Sequence, residues 1–206
     1  MSIVTCRSHR VRNVFPRRNN PPTDTLFHYI GGTSGAWRVT SIVTHSGIAL
    51  PYATHVEIAN GDLGRTPAGT AWVLHGVARN TRFVTREEPR RSSGDVPQPH
   101  FFGEACAALI LVQKSPAWWN LALCDQREIL ESPSEKARRR INILPSIMRL
   151  MQQRNEVREP FDFVTWFEYT KQDASIFDDL AGAMRSSEEW KYVDREIVIK
   201  LVTGPG

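Results

Sequence analysis

The chain has 206 residues, 41% hydrophobic and 23% charged, with a formal net charge of +4. That is the composition of a globular protein with enough chain to bury a sizeable core, as one large domain or two small ones. No run of about 18 uncharged apolar residues occurs, so a membrane-spanning helix is excluded and no membrane partner is expected. Much of the positive charge sits in residues 1–24, where Arg7, Arg10, Arg12, Arg17 and Arg18 precede any acidic side chain. This stretch has no apolar core of a secretory signal and is expected to be a disordered, basic, solvated extension ending near Asn19-Asn20-Pro21-Pro22. Cys6, Cys106 and Cys124 form no CxxC pair and leave an odd thiol, which suits a reducing, cytoplasmic setting.

From Thr25 the pattern becomes strand-like. Leu26–Ile30 leads into Gly31-Gly32, and residues 36–43 are rich in branched side chains that favour a strand. Residues 44–69 carry Gly47, Pro51, Gly61, Gly64, Pro67 and Gly69, which predict loops and short strands. Residues 70–77 form a further strand, and Asn80 turns the chain into 81–85 as a hairpin. The polar stretch 87–102 has no apolar period and is read as a linker between an N-terminal half, 25–86, and a C-terminal half, 103–203.

In the second half, the apolar run ACAALILV at 105–112 predicts a buried strand. Ser115-Pro116 then opens a helix, with serine at the N-cap and proline at the first helical position. That helix carries Trp118, Trp119, Leu121, Leu123, Ile129 and Leu130. A second start signal follows, in which Ser132 caps and Glu135 completes a capping box, placing Lys136 on the first turn. Pro145 interrupts that helix and suits the start of a second helical segment carrying Ile147, Met148, Arg149 and Met151. Strands over 161–169 and 196–202 flank a helix over 173–185, whose apolar residues recur at helical spacing. The order strand, helix, helix, strand, helix, strand predicts an α+β fold with a ferredoxin-like C-terminal half and a reduced version of it at the N-terminus. No sequence repeat is visible. There is no phosphate-binding loop, dinucleotide fingerprint, nucleophile elbow or zinc spacing. Arg138, Arg139, Arg140, Arg154 and Arg158 suit a solvated helix face, and the aromatics of 161–169 suit a core, so nucleic acid is disfavoured as a partner.

Six stretches together resemble the short, dimeric branch of the chlorite dismutase family: GGTSGAW at 31–37, AWVLHGVARNTRFVTREE at 71–88, AALILVQKSPAWW at 107–119, LPSIMRLMQQR at 144–154, EPFDFVTWFEY at 159–169 and SSEEWKYVDREIVIKL at 186–201. The resemblance spans roughly residues 26–202 in order. It implies a dimeric α+β barrel built from two ferredoxin-like halves, haem b held in the C-terminal half, and conversion of chlorite to chloride and dioxygen. It further implies a homodimer with a small anionic substrate. Matched residue by residue, Lys114 takes the place of the family's lysine behind the haem ligand, and Glu189 that of its glutamate, with Glu188 beside it as the alternative. Trp118 and Trp119 match the tryptophan pair beside the haem pocket. Arg149 matches the arginine on the open face of the iron.

The residue matching the axial histidine lies thirteen positions before Arg149, and it is Lys136. No histidine can replace it by a small shift, because His9, His28, His45, His55, His75 and His100 all lie in the first half. A lysine ligates iron only as the neutral amine, and presenting the free base at pH 7 costs about 4–5 kcal/mol before a bond to iron offsets it. Desolvation over an apolar haem face favours that amine; a nearby carboxylate opposes it. Two outcomes follow: a lysine at the iron, or an ion pair of Lys136 and Lys114 around Glu189 with no metal bond from the protein. The function classes left open are therefore a haem oxidoreductase acting on chlorite, a haem enzyme on another substrate, and a haem-free member acting as a dimeric binding or structural protein.

Overall fold

The computed structural model describes residues 25–78, 105–130, 132, 147–154 and 159–203. The N-terminal half supplies β1 (Thr25–Gly32), β2 (Trp37–Ser46), β3 (His55–Asn60) and β4 (Thr70–Ala78). The C-terminal half supplies β5 (Ala105–Lys114), α1 (Pro116–Trp119), α2 (Leu123–Leu130), β6 (Ile147–Arg154), β7 (Phe163–Thr170), α3 (Ala174–Arg185) and β8 (Val193–Thr203). A 3-10 turn at Lys171–Asp173 precedes α3, and a 3-10 helix at Glu188–Tyr192 precedes β8. The basic extension, the hairpin over 81–85, the linker 87–102 and the segment with Lys136 lie outside the described residues. Among the described residues no helix is long and apolar enough to cross a membrane.

The strands close into a barrel in the order β1-β3-β2-β8-β5-β7-β6-β4, antiparallel at every pairing. Within each half the sequence runs fourth, first, third, second: β4-β1-β3-β2 in one and β8-β5-β7-β6 in the other. That is the ferredoxin-like order twice over, so the two halves share a topology although no sequence repeat relates them. The expected α+β architecture of two ferredoxin-like halves is therefore present. The first half contributes strands alone among the described residues, which is the sense in which it is reduced.

Two local expectations need correction. The segment after Pro145 is not helical: Ile147–Arg154 is strand β6, paired with β7 from Ile147 opposite Tyr169 to Gln153 opposite Phe163. Methionine, leucine, glutamine and arginine are good helix formers, so local preference pointed the wrong way. The barrel overrides it, because without β6 the edge of β7 would stand open. The C-terminal half thus has four strands rather than three. The helix opened by Ser115-Pro116 is also not continuous; it breaks over residues 120–122 into α1 and α2. The Trp118 carbonyl then accepts from the Leu121 amide (3.2 Å) and from Nε2 of the buried Gln126 (2.8 Å), which ties the two short helices together.

The core has two layers. The barrel interior is filled by Phe27, Tyr29, Trp37, Trp72, Phe161 and Trp166 with aliphatic side chains from both halves. On the outer face of the C-terminal half, Ile110, Val112, Phe167, Tyr169 and Val198 lie beneath Phe177, Leu180 and Met184 of α3. Strands β5 and β7 are thus buried on both faces, which explains the unbroken apolar run at 105–112. Gly31 is required by close approach: a Cβ there would lie 2.1 Å from the buried Trp72 ring.

Tyr169 stacks on Phe177 with centroids 4.7 Å apart, and its phenol is held well above its ordinary range, first by burial and then by Cys106 and Asp178. The folded state therefore keeps a proton that the unfolded chain releases near pH 10, so stability should fall as pH rises past about 10. Urea unfolding from pH 8 to 11 should show this fall for the wild type and a smaller one for Tyr169→Phe. Parallel alkaline curves would rule out the contribution.

Candidate functional site

The site is built where β5 ends. A register shift between Gln113 and Lys114 sets Gln113 opposite Arg195 but Lys114 opposite Val193. The Lys114 amide is taken by the carboxylate of the buried Asp162 (2.7 Å), whose own amide donates to the Val112 carbonyl (2.9 Å). This fixes the backbone of Lys114 and sets its side chain among aromatic rings. The Lys114 ammonium lies 4.7 Å from the Trp118 ring centroid and 5.6 Å from that of Trp190. Its partner is Glu189, with Nζ 2.8 Å from Oε1.

The Lys114 side chain is 0% exposed and that of Glu189 15%, so this is a desolvated ion pair rather than a surface one. Glu189 reaches it from the 3-10 helix at Glu188–Tyr192. That helix is tied back to the end of β5 by the Ser115 amide, which donates to the Tyr192 carbonyl (2.8 Å). The neighbouring Glu188 instead pairs with Lys191 in solvent (2.6 Å). Of the two glutamates left open by the sequence, Glu189 is the one that meets Lys114.

The paired tryptophans separate. Trp118 is 1% exposed and packs against Tyr192, whereas Trp119 is 44% exposed. The Trp118 indole N–H is buried and meets no acceptor among the described residues. A buried donor of this kind is costly unless a bound group supplies the acceptor. Arg149 lies on β6 opposite Phe167, a residue of the core beneath α3. Lys136 lies outside the described residues.

Sequence reading missed Asp162, Trp190, Arg185 and Glu196. Glu196 is 3% exposed and holds Arg185 Nε and Trp190 Nε1, each at 2.9 Å. Trp190 adjoins Glu189 in the SSEEW motif, which is a usable signal; Glu196 looks like the first residue of an ordinary strand. The described residues contain no trio of His, Cys, Asp or Glu able to hold a metal ion. Two histidines are occupied with each other: His28 and His75 meet across β1 and β4 with Nδ1 atoms 2.6 Å apart. His28 Nε2–H donates to the Gly61 carbonyl (2.7 Å), because a carbonyl only accepts.

The buried Trp118 indole N–H, next to the Lys114–Glu189 pair, suits a bound group that supplies an acceptor. No protein-family model matches the chain, and no curated protein does. Among solved structures, it is 36% identical to the dimeric chlorite dismutase from Nitrobacter winogradskyi. That match covers 86% of this chain and 99% of that one, with a TM-score of 0.72. A variant chlorite dismutase from Candidatus Nitrospira defluvii is 12% identical over 89% of this chain and 93% of that one (TM-score 0.60). The Nitrospira enzyme in complex with imidazole is 13% identical over 88% and 91% (TM-score 0.59). At these identities the Nitrospira structures speak for the fold alone.

Replacing Lys114 by methionine keeps its bulk and leaves Glu189 without its cation. Chemical denaturation should show a loss of about 3 kcal/mol. A loss below about 1 kcal/mol would place the pair in the class of surface ion pairs and contradict its burial.

Proposed function

The chain belongs to the chlorite dismutase family, and we propose that it is a homodimeric, cytoplasmic haem b oxidoreductase that converts chlorite to chloride and dioxygen. The observation that carries this reading is the buried Lys114–Glu189 pair at 2.8 Å, with the free indole N–H of Trp118 beside it. When bound, haem b supplies the iron centre at which chlorite is broken down. In this reading Lys136 would hold the iron, and Glu189, itself held by Lys114, would orient it by accepting a hydrogen bond. Trp118 would offer its buried N–H to the bound group.

Arg149 works from the open side. A guanidinium stays charged at any relevant pH and presents a planar fork of donors, which suits it to hold chlorite and to retain a charged product before it diffuses away. A second reading is favoured by one observation, that the chain's histidines all precede residue 101. On that reading the protein is a haem-free dimeric binding or structural member of the family.

Adding haemin to the purified protein separates the two. A sharp Soret band with saturable stoichiometry supports the haem reading, and its absence rules that reading out. With haem bound, Lys136→His should shift the band and raise chlorite-dependent oxygen release; an unchanged spectrum would remove Lys136 from the iron. Arg149→Ala should lower turnover by on the order of 10²-fold.

A further inference from the structure

Behind the Lys114–Glu189 pair lies a second ion pair, its carboxylate buried and its guanidinium partly exposed, and one tryptophan joins the two. Glu196 stands in β8 opposite Val112 of β5. Its side chain is 4% exposed. A carboxylate buried there is costly unless its oxygens are satisfied. Both are: Oε1 accepts from Arg185 Nε at the end of α3, and Oε2 from Trp190 Nε1 in the Glu188–Tyr192 helix. The face of the same indole lies beside the Lys114 ammonium, with the Trp118 ring also against it.

We propose that Glu196 is a positioning residue for Glu189, acting through the Trp190 indole. Arg185, Glu196, Trp190, Lys114 and Glu189 form one line in which positive and negative groups alternate around an aromatic ring. The hydrogen bond to Glu196 fixes the plane of Trp190 and pushes electron density into its π system, which strengthens its hold on the ammonium. That hold fixes Nζ, and Nζ fixes the Glu189 carboxylate. Its consequence for a haem ligand rests on the function proposed above, whereas the positioning itself is a property of the protein without haem.

The test uses the full chain and keeps these two questions apart. In the haem-free protein, Glu196→Gln preserves shape but weakens the acceptor. The indole N–H resonance of Trp190, assigned by its loss in Trp190→Phe, should move upfield. The backbone amides of Ser115 and Trp190, which tie the Glu188–Tyr192 helix in place, should exchange roughly tenfold faster or more. Trp190→Phe should loosen the same amides, and adding Glu196→Gln to it should cause little further change, since the route runs through that indole. Haemin affinity should follow the same non-additive pattern. Unchanged exchange and resonance in Glu196→Gln overturn the proposal. So does an equal loss in the presence and absence of Trp190, which would show Glu196 acting through Arg185 alone. A wild type that takes up no haemin refutes the haem reading and leaves the amide result to decide the positioning.

Discussion

A lysine ammonium removed entirely from water is the constraint around which the C-terminal half is arranged. Burial of Lys114 would be prohibitive if it were uncompensated. Each compensation recruits a different element: the carboxylate from the helix before β8, one indole face from α1, another from beside that carboxylate, and Asp162 to hold the backbone in place. The short helices around it have little intrinsic stability, since α1 is a single turn. They hold their positions because the charge needs them there.

The barrel explains why this demand is met in one half only. Both halves supply four strands in the same order, but only the C-terminal half carries described helices against its outer face. A sheet covered on both sides creates an interlayer space where a charge can be desolvated. The N-terminal half shows a milder form of the same economy, in which His28 and His75 satisfy one another and the Gly61 carbonyl.

Much of this was legible in the residues. Branched and aromatic runs marked β1, β2, β4, β5, β7 and β8, and the apolar spacing of Phe177, Leu180 and Met184 marked α3. Strand β3 was blurred because glycines and prolines surround it. Strand β6 reads as a helix in the sequence, because its residues are good helix formers and only the closure of the sheet extends them. Lys114 and Glu189 were reachable because their motifs are long and unusual. Their support was not, because a contact such as Trp190 to Glu196 depends on which face of β8 turns toward α3. The linker boundaries and Lys136 fall outside the described residues.

The two halves close on each other at two junctions. One is where β2 runs along β8 from Trp37 to Ser46; at the other β4 meets β6, and among the described residues that pairing includes Gly76–Arg154 and Val77–Gln153. β6 meets β7 along seven residue pairs, from Ile147 opposite Tyr169 to Gln153 opposite Phe163. The strand that carries Arg149 therefore belongs to both halves at once: it is laddered to β7 of its own half and to β4 of the other, so a shift in either half reaches the backbone of Arg149 directly.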